Sequence, residues 1–372
     1  MAMRTGYRPP PPPNPAYMVP QQVQQVQQVQ QVPQVQQVQQ VQQVQQVQPV
    51  QPVQPVQQMQ YQMPPMYQRG GYGVHQQMAA PVSAPDPVYN VWRWNLEEQM
   101  AVIRNYVLDN YNYVFIDCKF PGIVARPIGS FKSTSEYHYQ TLRSNVDILQ
   151  VIQIGLTFAN DYGNMPGGHT TWQFNFRFSA TQDMCSADGV ELLRQSGVDF
   201  VKHETEGIDP FVFAELLISS GLVLNDKINW VAFHSGYDLG YLISVLLNRE
   251  VPVEESGFLR VVRKYFPNVY DVKYICKCLG LAGKGSLAET AEEFSIRLPP
   301  TVMGLGTGGL NQAGPDSLLT NGIFFALKHR QGDEGMGHFK DRLFGLGDEE
   351  EDKMSRTPSS ANVFQFGKMG AV

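Results

Sequence analysis

The chain has 372 residues and a net charge of −6, from 34 acids and 28 bases. It therefore lacks a strong overall basic field, and a polyanion would need a local basic patch. The four cysteines, Cys118, Cys185, Cys276 and Cys278, form no paired framework, and the one-residue gap between the last two is too short for a zinc knuckle, so reduced thiols of the cytosol or nucleus are expected. No apolar signal core opens the sequence and no run approaches the about 18 apolar residues of a membrane span, so neither secretion nor a membrane partner is expected.

Residues 1–86 are low in complexity, with a proline run at Pro9–Pro13 and a valine at every third position from Val23 to Val56. Period three fits neither strand alternation nor heptads but matches polyproline II, so a disordered Pro/Gln/Val-rich arm is expected. Roughly 260 residues remain, enough for one compact α/β domain at 87–347. Order is expected from Val88, followed by a helix with Asn95 as its cap and Met100, Ile103 and Val107 on one face. Tyr111–Asp117 reads as a buried strand, Tyr137–Asn145 as a helix and Ile148–Ala159 as a second strand; Thr171–Phe178 alternates cleanly and should pair with that strand antiparallel. Helices are expected at Ala187–Ser196, Val198–Glu206 and Pro210–Ser220, the last starting with Asp209 as cap before Pro210. Ile228–Phe233 is a fourth strand, His234–Asn248 a turn and helix, and Val269–Lys273 a short fifth strand. Further helices are expected at Ser286–Phe294 and Asp316–Lys328, with the Gly-rich loop Met303–Gly309 between them. An acidic, Ser-rich tail, expected to be disordered, occupies 348–372. The fold class is thus α/β, a mixed sheet of about five strands flanked by helices.

The chemistry centres on Tyr111–Gly122, where an apolar run ends in Asp117-Cys118-Lys119. Side chains two apart on a strand share a face, so Asp117 and Lys119 should point to one place and Cys118 away from it. Asp238 follows the fourth strand and Asp316 opens the last long helix. Carboxylates gathered at strand and helix ends usually hold hard divalent cations, and a pair of such ions is the standard clamp for displacement at a phosphodiester. Phe120 beside them is suited either to stacking a base or to the core. His234 reads as a structural hydrogen-bonding group, and Lys202, His203, Lys273, Lys277 and Lys284 as scattered surface bases or an RNA rim.

Six blocks in order, FPGIVARPIG (Phe120–Gly129), TWQFNFRF (Thr171–Phe178), FAELLISSGLVL (Phe213–Leu224), FHSGYDLGYL (Phe233–Leu242), FPNVYDVKY (Phe266–Tyr274) and NQAGPDSLLT (Asn311–Thr320), resemble the Caf/Pop-type deadenylase subunits of the CCR-NOT complex. The likeness runs from about Leu96 to Gly347. It implies a ribonuclease-H-like fold of the DEDD exonuclease type, shortening of messenger RNA poly(A) tails with magnesium or manganese, and residence in the cytoplasm, including mRNA-processing bodies, and the nucleus. It also implies a CCR-NOT scaffold subunit, the second deadenylase of that complex and poly(A) RNA as partners. Carried over residue by residue, Asp117, Asp238 and Asp316 match family acids, whereas Lys119 stands where the family has glutamate. Asn311 stands where related exonucleases place a histidine, and its amide cannot take a proton from water at neutral pH. Ile218 and Leu222 fall where the family docks its scaffold.

Three aspartates and Lys119 sum to −2, half of what would balance two divalent ions. An ammonium about 4 Å from a dication is repelled by about 8 kcal/mol at an effective dielectric of about 20. The expectation is a pseudo-nuclease without a bound metal, in which Lys119 forms salt bridges with Asp117 and Asp316 and the fold acts as a scaffold or RNA-binding subunit. The competing reading is an active magnesium- or manganese-dependent 3′–5′ poly(A)-specific exoribonuclease resting on Asp117, Asp238 and Asp316.

Overall fold

The computed structural model describes residues 87–347 apart from 110, 168, 282–284, 300, 301 and 303–310. The arm at 1–86, the tail at 348–372, the loop Met303–Gly309 and Lys284 lie outside the described residues, as does the side chain of Val107. In chain order the elements are β1 (Val88–Val91), α1 (Leu96–Leu108), β2 (Tyr113–Lys119), α2 (Thr134–Val146), β3 (Gln153–Ala159), β4 (Thr171–Asn175), α3 (Ala187–Gln195), α4 (Phe200–Glu206), α5 (Pro210–Ile218), β5 (Asn229–Ala232), α6 (Gly236–Leu247), α7 (Glu255–Tyr265), β6 (Val269–Asp271), α8 (Val272–Cys278), α9 (Leu287–Glu293) and α10 (Ala313–Gly337).

One mixed sheet carries them, in the order β1-β4-β3-β2-β5-β6. The antiparallel pairing of β3 with β4 is as the alternation predicts, β2 runs antiparallel to β3, and the remaining pairs are parallel. There are six strands in place of about five, because Val88–Val91 adds to the sheet edge beside β4. Four residues are too few to display a period, and the pairing is made across more than eighty residues. Helices α7 and α8 are further additions. The strand expected at Val269–Lys273 is β6 and stops at Asp271, whose side chain accepts from the amides of Lys273 and Tyr274 and turns the chain into α8. Asn95 fixes the turn before α1, accepting from the Trp92 amide at 2.7 Å and donating to the Asn90 carbonyl.

Strand β2 divides its side chains by parity. Val114, Ile116 and Cys118 join the core beneath α1, α2, α5 and α6, while Tyr113 and Phe115 join the one beneath α8, α9 and α10. Asp117 and Lys119 continue the second row and so end under α10. The first core is aromatic and aliphatic, with Trp172, Phe174, Phe213 and Trp230 fully buried. Under the N-terminal end of α10 the sheet instead presents Gln153, Gly155, Thr157, Thr171, Gln173 and Asn175, all buried. The Ala313 amide donates to Gln153 Oε1 and the Gly314 amide to Gln173 Oε1, so two helix-end donors that lack a partner within the helix find one in the sheet. Thr157 Oγ1 lies 2.8 Å from Ser317 Oγ. Gly155 permits this approach, since a Cβ there would overlap the backbone of Ala313. The helix that carries Asp316 is therefore seated by its own backbone.

Ile218 and Leu222 part company. Ile218 is 45% exposed, but Leu222 is fully buried and belongs to the core, which corrects its assignment to a partner surface. A continuing helix would put positions 218 and 222 on one face; α5 ends at Ile218, Gly221 turns the chain with φ of 84°, and the Leu222 carbonyl accepts from the Trp230 indole.

Candidate active site

The site lies at the C-terminal end of β2, where α6 and α10 both begin. Lys119, 2% exposed, places Nζ 3.0 Å from Asp117 Oδ2 and 2.6 Å from Asp316 Oδ2. Asp117 reaches it along the strand and Asp316 from the first turn of α10. Asp238, in the first turn of α6, accepts from the Cys118 amide at 2.7 Å through Oδ1. All four predicted residues thus gather at one strand end, three of them as one ion-paired group and Asp238 through the backbone between Asp117 and Lys119.

Burial decides the protonation of this group. It pushes the Asp117 carboxyl up to about 7, against the lowering effect of Lys119 and with a further push from Asp316. Asp238 is held well above the usual carboxylate range, by burial first and by Asp117 second. Burial alone would lower the Lys119 ammonium, but Asp117 and Asp316 outweigh it and the net shift is upward, so Lys119 stays charged.

A divalent ion makes a poor fit. Magnesium is bound by oxygens roughly 2.0–2.1 Å away, and here the facing oxygens of Asp117 and Asp316 are already bridged by an ammonium. Among the described residues no group of three or more His, Cys, Asp or Glu is arranged to hold a metal. Even with all three aspartates ionised the four side chains sum to −2, half of what two dications require, and the raised Asp117 and Asp238 carboxyls lower that further. The residues present do not fit a pair of divalent ions.

Asn311 has a left-handed backbone, φ 68°, and its Nδ2 donates to Ser196 Oγ at 3.1 Å. Its neighbour Gln312 donates to the Ser196 carbonyl and accepts from Gln173. The Asn311 amide, with Gln312 beside it, is thus a tether between the end of α3 and the start of α10. Phe120 stacks on Tyr237 with centroids 4.9 Å apart and leans on Tyr241. His203 is buried and bonded to the Phe176 carbonyl, so it leaves the list of rim bases.

Asp271 is a residue that sequence reasoning missed. Its carboxylate is fully buried and accepts from the amides of His234, Ser235, Lys273, Tyr274 and Phe344 and from the Ser235 hydroxyl. It fixes the turn in which His234 adopts φ of 66°, and with it the start of α6 and Asp238. The signal was the acid at the end of a short apolar strand, the same signal that marked Asp117.

A model of the CAF1 family ribonucleases matches residues 91–215. Over 267 residues the chain is 45% identical to the probable CCR4-associated factor 1 homolog 7 of Arabidopsis thaliana, covering 70% of this chain and 93% of that protein. It is 44% identical over 262 residues to the poly(A) ribonuclease pop2 of Schizosaccharomyces pombe, covering 70% of this chain and 75% of that protein. Among solved structures, S. pombe Pop2p in its Mg2+- and Mn2+-bound form superposes with a TM-score of 0.66 at 44% identity, covering 70% of this chain and all of that one. A yeast structure of the NOT1 MIF4G domain co-crystallised with CAF1 gives a TM-score of 0.56 at 34% identity, covering 69% of this chain and 96% of the matched one.

Proposed function

Because the chain belongs to the CAF1 ribonuclease family, we propose that it serves messenger RNA turnover as a pseudo-nuclease subunit of a CCR-NOT assembly, keeping the ribonuclease-H-like fold for docking while Lys119 closes the nuclease site. The observation that carries the reading is the Lys119 ammonium between Asp117 and Asp316. A catalytic glutamate there would add a fourth acid and admit cations; a lysine supplies the positive charge itself. Asn311, tied to Ser196, leaves the base position without a group that takes a proton.

The scaffold is the partner that the CAF1 co-crystallised with the NOT1 MIF4G domain supports by likeness. The surface proposed for it is the exposed face of α5 around Ile218. The second deadenylase and poly(A) RNA are further partners, and cytoplasm with mRNA-processing bodies, together with the nucleus, is the compartment in which they would be met.

The test is deadenylation of a 3′-poly(A) oligoribonucleotide with magnesium or manganese, with Lys119→Glu assayed beside the natural chain. No shortening by the natural chain is expected, with at most one weak metal site in calorimetric titration. Lys119→Glu should gain metal affinity and recover little cleavage, because Asn311 is unchanged. Robust shortening by the natural chain, abolished by Asp117→Ala, would overturn the pseudo-nuclease reading and establish an active exoribonuclease.

A further inference from the structure

Helix α7 packs Phe258 and Val262 into the core and leaves Arg260, Arg263 and Lys264 exposed. Positions i, i+3 and i+4 are neighbours on a helix surface, so three cations share one face, an arrangement that costs a few tenths of a kcal/mol per like pair when no counter-charge is near. None of the three forms an ion pair with another described residue. The site at Asp117 makes no use of them.

The described chain ends beside this helix. Gly347 donates its amide both to Glu255 Oε1 in the first turn of α7, at 2.7 Å, and to Ser135 Oγ, at 3.0 Å. A Cβ on Gly347 would lie 3.3 Å from Leu259 Cδ1, and Leu259 and Arg263 line one groove with Asp341 and Leu343. The next five residues in the sequence are Asp348, Glu349, Glu350, Glu351 and Asp352. We propose that the basic face of α7, Arg260, Arg263 and Lys264, is the seat of the chain's own acidic run 348–352, held in cis.

Reach, charge and direction agree. Five extended residues span roughly 17 Å, whereas the rise along the helix from Leu259 to Lys264 is about 7.5 Å. Five acids meet three cations, and the short connection from an anchored Gly347 gives an effective concentration of order millimolar, which weak exposed pairs need in order to form. Glu254 and Glu255 at the start of α7 repel the run from the first turn, and the basic residues of the last two turns draw it along the helix. Asp341, which lines the same groove as Arg263, is an acid that opposes the run there. A run seated there denies this face to polyanions in solution.

The experiment is zero-length carbodiimide cross-linking of the full chain at low salt, read by mass spectrometry, with heparin retention as a second measurement. Lys264 should couple to Glu349–Asp352 within a single chain, and at 0.5 M salt the yield should fall at least tenfold. A variant with the five acids changed to Asn and Gln should be retained to higher salt on heparin, and adding Arg260→Glu, Arg263→Glu and Lys264→Glu should cancel that gain. The proposal is overturned if Lys264 stays unlinked while other lysines couple, if the couplings join two chains, or if neutralising the run leaves heparin retention unchanged.

Discussion

Replacing Lys119 by methionine keeps the length of the side chain and removes its charge. In the native protein Nζ faces Asp117 at 3.0 Å and Asp316 at 2.6 Å with 2% exposure. At an effective dielectric of about 20 each contact is worth roughly 5–6 kcal/mol in Coulomb energy, most of it offset by the desolvation of three ions. Breaking a buried pair from one side leaves the other charge stranded and costs about 3–5 kcal/mol. The loss depends on pH, because the stranded carboxylates can escape by taking protons. Asp117 sits at about 7 in the folded protein and near 3.8 when exposed. The folded state therefore binds more protons at Asp117 between those values, so the contribution of this group to stability is full below about 4 and is lost as pH rises through 7. Without Lys119, which lowers the Asp117 value, the window extends upward and the penalty deepens. Urea unfolding followed by tryptophan fluorescence should give a Lys119→Met deficit of about 3–5 kcal/mol at pH 8 that shrinks by more than half at pH 5.5. A deficit below about 1 kcal/mol at both pH values would refute the claim that Lys119 is the cation holding these acids together.

Gly155→Ala should cost about 3 kcal/mol or more in the same unfolding assay, since the new methyl meets the backbone of Ala313 and α10 must lift from the sheet. Asp271→Asn keeps the shape but presents an NH2 to amides that now donate to a carboxylate; a loss of roughly 3 kcal/mol is expected, with faster hydrogen exchange at Ser235 and Phe344. Ile218→Asp should leave the melting temperature within about 2 °C while weakening capture by a NOT1 MIF4G domain at least tenfold, whereas Leu222→Asp should unfold the chain by burying a charge. Equal binding by Ile218→Asp and the natural chain would remove α5 as the docking face.

What the sequence could and could not reveal follows the range of the interactions. Strand period two placed Asp117 and Lys119 on one face without any knowledge of the fold, because alternation is a property of the backbone alone. The ion pairs followed from charge, since three carboxylates at one strand end need a cation and Lys119 was the one aimed there. Leu222 failed because it was paired with Ile218 by resemblance alone, whereas the helix ends at Ile218 and the turn at Gly221 carries Leu222 into the core. The strand β1 and the helix α8 were missed because they are short and gain their stability from packing rather than from a pattern, whereas α7, with Phe258 and Val262 on one side and Arg260, Arg263 and Lys264 on the other, carries an amphipathic pattern that went unread.

The polar face of β3 and β4 is the more instructive case. Gln, Thr and Asn alternate with Trp and Phe in β4, a pattern that by itself also suits a strand with one wet face, yet every one of those polar side chains is buried under α10. A helix resting on aliphatic residues would leave the amides of Ala313 and Gly314 without partners, a loss of roughly 1–3 kcal/mol each. Resting on Gln153 and Gln173, it has both satisfied at its entry. Asp316 lies one turn further on, in a helix whose height is set by Gly155 and whose end is tethered through Asn311 and Gln312 to Ser196. The distance from Asp316 to Lys119 is therefore set by neutral amides and one glycine, none of which bears on catalysis when read singly. A site acid held this firmly keeps its position whichever residue stands at 119, and the Lys119 side chain needs only to extend along its own strand to meet it.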